Sequence, residues 1–410
     1  MAKVRAFKAV RPAVDLVEQV AALPYDVYSR AEACEKVKDN PLSFLNIDRA
    51  ETQFGDDVDI YADCVYEKAK ELLETRIADG TYETEDVSCY YLYELIMDGR
   101  SQTGVVGCCS IDDYYSGLIK KHENTRADKE VDRIRHVDTC SAQTGPIFLA
   151  YRNNAELRQL ILEEKKRSPL YDFTADDGII HRVWRIDDEA KVAHIQTIFA
   201  GMDALYIADG HHRAASAVRV GQMRREANPD YTGEEEFNYF LSVIFSDDEL
   251  LIMDYNRVVA DLNGLDKQAF LDEVKKSYDV EMSVCRVSPQ AKGQIGMYLD
   301  GAWYQLNAKP EVYSGDVVKD LDVSVLQDYV LNPVLGIENP KTDKRIDFVG
   351  GIRGLSELER RVDNGMAVAF AMYPTSIAEL FDVADAGMLM PPKSTWFEPK
   401  LRSGIFIHQI

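Results

Sequence analysis

The residues most suited to chemistry lie in one run, Tyr206-Ile207-Ala208-Asp209-Gly210-His211-His212-Arg213. A short apolar run ends there in Asp-Gly, and an alanine-rich helical pattern follows. The free backbone N–H groups at such a helix start point at one spot and attract anions. Gly210 permits a tight turn, and the Arg213 guanidinium can hold phosphate oxygens through two hydrogen bonds. The pattern therefore predicts a phosphate site.

This run has two other interpretations, a capped helix and a metal site. Asp209 could simply cap the helix, with the histidines on the surface. Positive side chains at a helix N-terminus oppose the helix dipole, however, and a bound anion would remove that conflict. Metal binding by His211 and His212 is disfavoured, because adjacent helical side chains diverge by roughly 100°. We predict that Asp209 to Arg213 bind phosphate and that no metal is chelated directly by protein side chains.

A second polar segment is Ile119-Lys120-Lys121-His122-Glu123-Asn124-Thr125. A carboxylate among cations suits a general base that takes the proton from a hydroxyl attacking phosphorus. Glu123 is the candidate base, and His122, Thr125 and Arg133 are weaker candidates for binding substrate. On spacing alone, a solvated charged loop is the better explanation.

A third segment, Met390 to Lys400, contains three prolines and is expected to be an ordered loop. Lys393, Ser394 and Thr395, together with Lys400, could bind a carboxylate or a phosphate there. A loop that merely buries the neighbouring aromatic side chains explains the segment equally well.

Composition narrows the classes of protein. The 47 basic and 70 acidic residues give a net charge of −23, which disfavours a dedicated nucleic-acid binder but not a nucleotide binder. The seven cysteines contain no CxxC pair, so neither a disulfide framework nor a zinc site is expected. No stretch approaches the ~20 apolar residues of a membrane span, and no secretory signal opens the chain. We expect a cytoplasmic protein.

The elements that must position these residues alternate between hairpins and helices. β-rich runs flank Asp98-Gly99, Asp247-Asp248 and Asp300-Gly301, which predicts three hairpins. Hairpins outnumber clear βαβ units, so the predicted fold class is α/β of the α+β type, with a mixed sheet. Helical spacing of apolar residues predicts helices over residues 58–77, 127–139, 155–166, 214–226 and 267–278.

The two motifs, "KHE" at residues 121–123 and "DGHHR" at residues 209–213, together resemble the ParB/sulfiredoxin-like superfamily, and most closely its free-serine kinases. The resemblance implies a nucleotide-binding core. It implies that Glu123 is the catalytic base and that the DGHHR turn supplies the phosphate and transition-state site. It further implies ADP or ATP with Mg²⁺ as cofactors and a small amino acid, serine, as substrate.

The chain departs from that superfamily in several ways. Lys121 stands where the compact kinases carry proline, and the two motifs lie farther apart. His211 occupies the position of the sulfiredoxin cysteine, which disfavours thiol chemistry, and neither the helix-turn-helix nor the basic surface of ParB is found. These departures leave the substrate open.

Over its whole length the chain also resembles the DUF1015 family. The resemblance is carried by Pro24-Tyr25-Asp26-Val27, by Asn40 to Leu45, by Gly145-Pro146-Ile147-Phe148, by the two motifs above and by Met390 to Lys400. We expect residues 1–85 to pack on a core of residues 86–260, which carries an insertion at about 150–202. Residues 261–410 are expected to form a C-terminal α+β region.

The leading hypothesis is a small-molecule phosphotransferase that interconverts L-serine and O-phosphoserine with ADP or ATP. The alternative is a nucleotide-binding regulatory protein without turnover, and a scaffold without a ligand is a third hypothesis. The expected partners are a nucleotide and a small amino acid, with neither nucleic acid nor membrane, and a homo-oligomer stays open. The sequence does not decide the nucleotide base, the acceptor or the direction of reaction.

Overall fold

The computed structural model describes residues 1–125 and 127–410. Its α-helices are α1 (Val17–Val20), α2 (Arg30–Val37), α3 (Leu45–Asp48), α4 (Asp63–Ala78), α5 (Ile111–Tyr115), α6 (Ala127–Cys140), α7 (Ala155–Glu164), α8 (Glu189–Ala200), α9 (His211–Ala227), α10 (Lys267–Val274), α11 (Asp322–Leu326), α12 (Leu355–Asp363) and α13 (Ile377–Asp385). The helices predicted from apolar spacing are thus present, with ends shifted by a few residues.

The strands are short to medium in length. They are β1 (Val4–Arg5), β2 (Val10–Pro12), β3 (Tyr82–Thr84), β4 (Tyr90–Met97), β5 (Arg100–Ser110), β6 (Ile119–Lys120), β7 (Ala142–Gln143), β8 (Ile147–Tyr151), β9 (Tyr171–Thr174), β10 (Ile180–Ile186), β11 (Leu205–Asp209), β12 (Tyr239–Ser246), β13 (Ile252–Met253), β14 (Tyr255–Val259), β15 (Tyr278–Ser283), β16 (Gln294–Leu299), β17 (Ala302–Ala308), β18 (Ile346–Gly350), β19 (Val368–Ala371), β20 (Trp396–Phe397) and β21 (His408–Gln409).

The chain divides into two compact units, residues 1–250 with 399–410, and residues 251–398. This division differs from the three regions expected from the sequence. Residues 1–85 are part of the first unit, because β1 pairs with β5 in the main sheet. The segment from 150 to 202 contributes β9 and β10, which extend that sheet beyond β4 rather than lying beside it. The last residues return to the first unit, where β21 pairs with β7.

The first unit is built on a mixed sheet with the strand order β6-β11-β8-β12-β5-β4-β10-β9, to which β1 is added on β5. The pairs β6–β11 and β8–β12 are parallel, and the other pairs are antiparallel. The predicted α+β class with a mixed sheet is therefore confirmed. Apolar side chains from this sheet and from α7, α8 and α9 form its main core.

Turn chemistry predicted two of the three hairpins correctly. Asp98 and Gly99 have φ angles of 51° and 80° between β4 and β5, and Asp300 and Gly301 have 51° and 75° between β16 and β17. Positive φ at both central residues is what a tight two-residue hairpin requires, and Asp-Gly tolerates it.

The third predicted hairpin, around Asp247-Asp248, is wrong. β12 already has β5 on one side and β8 on the other, so no edge is left for the strand that follows. That strand, β13, pairs instead with β20 in the second unit. Local sequence shows a turn there, but the partners of β12 come from distant parts of the chain.

The second unit contains a sheet of order β15-β17-β16-β19-β14-β18, in which the described pairs are antiparallel. Its main core includes Phe270, Ile295, Leu326 and Phe370. Across residues 1–125 and 127–410, no helix combines the length and apolar character needed to cross a bilayer.

The parallel pair β6–β11 positions the candidate site. Ile119 lies opposite Leu205, and Lys120 lies opposite Tyr206. Because parallel strands run in the same direction, the segments that follow them leave the sheet at the same edge. The segment after β6 carries Glu123, and the segment after β11 begins with Gly210. Two motifs that are far apart in sequence are thereby brought together.

Gly221 provides a test of how α9 packs on this unit. A Cβ atom added there would overlap the Phe237 carbonyl oxygen and lie 2.9 Å from Ile111 Cδ1. Gly→Ala within a helix usually stabilises by about 1 kcal/mol. We expect G221A instead to lower the free energy of unfolding by about 1–3 kcal/mol, because the helix must shift. Urea denaturation measures this, with Q222A as the control on the next residue; a more stable G221A would contradict the packing.

Candidate functional site

Gly210 makes the turn between β11 and α9. Its φ of 90° and ψ of 32° lie in the left-handed region, where a side chain is disfavoured. No side chain of the described residues caps the helix, so Asp209 is not a helix cap. The first intrahelical hydrogen bond runs from the Ala214 N–H to the Gly210 carbonyl, at 2.9 Å. The backbone amides before it are not used within the helix and are suited to an anion.

Two cations converge on Asp209. Arg213 Nη2 lies 2.9 Å from Asp209 Oδ2, and Lys400 Nζ lies 3.4 Å from Asp209 Oδ1. Arg213 Nη1 also donates to the Pro146 carbonyl at 2.5 Å, which fixes the plane of the guanidinium. Desolvation raises the pKa of Asp209, but the charges of Lys400 and Arg213 outweigh it and hold the pKa at about 2. These three side chains therefore carry a net charge of about +1 at neutral pH.

His211 and His122 form a buried pair beside this turn. Their ring centroids are 4.4 Å apart with an edge-to-face angle of 84°, and both residues are almost inaccessible to solvent. Burial, followed by the charge of His122, lowers the pKa of His211 well below its ordinary value. Burial also lowers the pKa of His122 to about 4. Both rings are therefore neutral at physiological pH, and the conflict with the helix dipole is smaller than their residue types suggest.

Glu123 lies beside His211. Its Oε2 is 4.0 Å from His211 Nδ1, and its side chain is 38% exposed. The backbone N–H of His122 donates to His211 Nε2 at 3.5 Å, which places the ring proton on Nδ1, facing the carboxylate. Glu123 is thus next to a neutral donor while part of it reaches solvent. A substrate hydroxyl can approach a carboxylate held in this way.

His122 is the most constrained polar side chain of the site. It is 1% exposed, and neither of its ring nitrogens has a hydrogen-bond partner of acceptable geometry among the described residues. The nearby Asp209 carboxylate and a poorly aligned contact with the Ile207 backbone raise its pKa, but burial is the larger effect. A buried imidazole without partners costs free energy, and such costs are concentrated at functional sites.

His212 and Thr125 occupy the edges of the site. His212 is half-buried, and its carbonyl accepts from the Ser216 hydroxyl at 2.7 Å. The Thr125 hydroxyl donates to Glu130 Oε1 in a short hydrogen bond. Neither contact assigns these side chains a role toward a ligand.

Arg133 borders a cavity that also touches Arg213. Its guanidinium lies 4.0 Å from the centroid of the Tyr25 ring and forms an ion pair of 3.0 Å with Asp132. Tyr25 is buried, which raises its pKa to about 12. The geometry thus brings together Arg133, a sequence candidate for substrate binding, and Tyr25 of the Pro24–Val27 segment.

The third sequence candidate lies in the second unit. The Ser394 hydroxyl donates to the Pro391 carbonyl at 2.5 Å, and Lys393, with φ of 59°, accepts from Arg257 through its carbonyl. Lys393 Nζ lies 5.6 Å from the centroid of the Tyr255 ring. Thr395 is half-buried. The Ser394 hydroxyl is thus used within the loop itself.

The sequence groups Lys400 with Lys393, Ser394 and Thr395, and its position beside Asp209 was not expected. It follows Pro399 and returns with residues 399–410 to the first unit, where it contacts Asp209. Asp48 was missed, although it borders the same cavity as Arg133. The lysine beside the last proline of the loop was the available signal for the first, and nothing in the local sequence marks the second.

Among the His, Cys, Asp and Glu side chains that the structure describes, no group of three or more is arranged to hold a metal ion.

The model of a family described as "Protein of unknown function (DUF1015)" matches residues 4–324 of the chain. The chain belongs to the DUF1015 family. The resemblance to this family that the sequence indicated is thereby confirmed. Comparison with curated protein sequences gives no significant match.

Solved structures similar to this DUF1015 protein include a free serine kinase variant in complex with AMP, at 14% identity and a TM-score of 0.34, covering 71% of this chain and 87% of the other. SbnI with a C-terminal truncation from Staphylococcus aureus has 10% identity and a TM-score of 0.39, with coverages of 72% and 82%. A conserved hypothetical protein from Pyrococcus furiosus has 15% identity and a TM-score of 0.35, with coverages of 72% and 92%. Likenesses of this size carry no argument about activity.

The buried, neutral state of His122 has a measurable consequence. A folded pKa of about 4 against an ordinary value of 6.5 means that the unfolded chain binds the proton more readily. The stability associated with neutral His122 is complete above pH 6.5 and falls as pH decreases toward 4. We expect H122F, which keeps a ring but no titrating group, to lose less stability between pH 7 and pH 4.5 than the wild type, by about 2–3 kcal/mol.

Urea denaturation at the two pH values measures this difference. H194Q is the control, because His194 is 46% exposed and paired with Glu156 on the surface. Its pH dependence should match that of the wild type. Identical pH dependence in H122F and the wild type would show that His122 is not held neutral by burial.

Proposed function

We propose that this DUF1015 protein is a nucleotide-dependent phosphotransferase that acts on the hydroxyl of a small amino acid. The observation that carries the proposal is the arrangement at the start of α9. An uncapped helix N-terminus after a left-handed glycine lies beside Arg213 and Lys400, and Glu123 lies 4.0 Å from the neutral His211. Helix amides and cations suit a phosphate chain, and the carboxylate suits a proton acceptor.

The charges of the turn support an anionic ligand. Asp209 stays ionised and orients Arg213 and Lys400, so both cations are held near the helix N-terminus before any ligand arrives. Positioning and neutralisation of charge provide most of the catalysis in phosphoryl transfer. An arginine and a lysine fixed in advance would not need to reorganise during the reaction.

The step would proceed as follows in the kinase direction. The hydroxyl oxygen of the acceptor forms a bond to the γ-phosphorus of ATP, and the bond from that phosphorus to the β–γ bridging oxygen breaks. Glu123 takes the hydroxyl proton, and ADP leaves. In the reverse direction, a β-phosphate oxygen of ADP forms a bond to the phosphorus of the phosphorylated amino acid, the bond from that phosphorus to the amino-acid oxygen breaks, and Glu123 returns its proton to that oxygen. The nucleotide would bring Mg²⁺ on its phosphates, as is usual for this ion.

The motif resemblance supplies the substrate of the proposal, L-serine and O-phosphoserine. The KHE and DGHHR elements of the chain stand where the free-serine kinases carry their base and phosphate turn. Their two strands pair in parallel, so the elements share one edge of the sheet. ADP or ATP is the proposed nucleotide.

Substitution of Glu123 tests the catalytic role. We expect E123Q to lower the rate of serine phosphorylation, or of its reverse, by about a hundredfold or more, because the amide cannot accept the proton. Nucleotide affinity should be unchanged, since the carboxylate is not part of the phosphate turn. Turnover is measured by coupled assay in both directions and nucleotide binding by calorimetry.

E226Q is the matched control, because Glu226 lies at the far end of α9 in an exposed pair with Arg219. It should retain full turnover. If the wild type binds nucleotide but turns over neither serine nor O-phosphoserine, a regulatory nucleotide-binding protein becomes the better interpretation.

Arg213 tests the phosphate turn itself. R213K keeps the charge but loses the planar fork that now contacts Asp209 and Pro146. We expect ADP affinity to fall about tenfold, because a single ammonium cannot reproduce two parallel hydrogen bonds. R219K, the same change at an exposed position on α9, should bind ADP like the wild type. Equal ADP affinity in R213K and R219K would show that Arg213 does not bind the nucleotide.

A further inference from the structure

A cavity in the first unit lies next to the phosphate turn but is not part of it. We call it the side cavity; Tyr25, Asp48, Arg133, His136, Thr144 and Arg213 are among the residues that border it. Arg213 is the member it shares with the turn. Apart from Arg213 and Ser216 of α9 and Gln143 of β7, the polar side chains around it come from α3, α6 and neighbouring loops, so the two sequence motifs account for only part of it.

Arg133 supplies a fixed positive charge to the side cavity. It is 8% exposed, its Nε donates to Asp132 Oδ2 at 3.0 Å, and its Nη1 donates to the Asp48 carbonyl at 3.4 Å. Asp132 is itself held by the Tyr66 hydroxyl at 2.9 Å. Across the described part of the chain, the Nη2 group of Arg133 has no hydrogen-bond acceptor. The guanidinium is therefore held in place and still has an N–H donor that could bind a ligand.

Asp48 supplies a buried negative charge to the same cavity. The residue is 4% exposed, and its Oδ1 accepts from the Thr144 hydroxyl at 2.8 Å. Its Oδ2 accepts no hydrogen bond from residues 1–125 or 127–410. Because Asp48 borders the cavity, this oxygen is available to a donor from water or from a ligand.

Arg133 is in an ion pair with Asp132, and the Asp48 carboxylate acts on it only from a greater distance. No nitrogen of Arg133 lies within ion-pair distance of an Asp48 carboxylate oxygen in the described structure, although both side chains border the cavity. A phosphate placed there would be repelled by Asp48, and a metal cation would be repelled by Arg133. A ligand with a positive and a negative group on adjacent atoms would match both.

We infer that the side cavity binds the α-ammonium and α-carboxylate groups of the amino-acid acceptor, with Asp48 as the partner of the ammonium and Arg133 as the partner of the carboxylate. This inference rests on the phosphotransferase proposed above and names where its acceptor binds. Arg213, which borders both the cavity and the turn, then lies between the bound amino acid and the nucleotide phosphates. A side-chain hydroxyl on the acceptor is thereby directed to the phosphate turn.

A ligand series on the wild-type protein tests the inference without any substitution. The probes are L-serine, 3-hydroxypropanoate, which lacks the ammonium, and ethanolamine, which lacks the carboxylate. Each is titrated by calorimetry with ADP at saturation. We expect L-serine to bind at least about tenfold more tightly than either analogue, because each analogue leaves one buried charge unpaired. Equal binding of the three, or no L-serine binding while ADP binds, would overturn the inference.

Substitution of Asp48 provides a second test. D48N keeps the volume of the side chain and an oxygen for Thr144 but removes the charge. We expect L-serine affinity to fall about tenfold or more and its preference over 3-hydroxypropanoate to disappear, while ADP affinity is unchanged. D39N, at an exposed position, is the control. Retained selectivity in a folded D48N protein would refute the role of Asp48, and if D48N does not fold, the wild-type ligand series decides.

The outcomes separate this inference from the proposed function. L-serine binding that depends on Asp48, without nucleotide turnover, would support the side cavity as an amino-acid site and contradict the proposed phosphotransferase activity. Turnover with an acceptor that lacks either charged group would support the phosphotransferase activity and contradict the assignment of the side cavity as the acceptor site.

Discussion

The parallel pairing of β6 with β11 is the interaction on which the candidate site depends. It consists of only two residue pairs, Ile119 with Leu205 and Lys120 with Tyr206, at the end of a mixed sheet. A parallel register makes both strands end at the same edge, whereas an antiparallel register would have sent their continuations to opposite edges. Because β11 is also paired with β8 on its other side, the turn at Gly210 is supported from both sides of the strand.

The charges of the side chains at the candidate site depend on how deeply each of them is buried at that edge of the sheet. Burial keeps His122 and His211 neutral, so these two rings add no positive charge to the helix N-terminus. The charge comes instead from Arg213 and Lys400, both oriented by an ionised Asp209. In the proposed site, the two neutral histidines surround Glu123, and the two cations are the groups that would attract an anion.

The rest of the first unit completes the surroundings of the turn. Tyr25 and Asp48 come from the N-terminal segment, Arg133 comes from α6, and Lys400 comes from the returning C-terminal segment. These parts lie outside the two short motifs that resemble those of the free-serine kinases. The recognition of an acceptor is therefore expected to be a property of the larger DUF1015 fold rather than of the motif pair alone.

The sequence by itself determined the local features. Asp-Gly turns predicted two hairpins, apolar periodicity predicted the main helices, and the DGHHR run predicted a helix N-terminus open to an anion. Each of these features depends on the backbone preferences of a few neighbouring residues. Those preferences can be inferred directly from the residue types. The tertiary structure alone decided that β12 has no free edge, that Lys400 reaches Asp209 and that Asp48 shares a cavity with Arg133. Those outcomes depend on which distant segments pair and pack, and the burial that neutralises the histidines arises only once that packing exists.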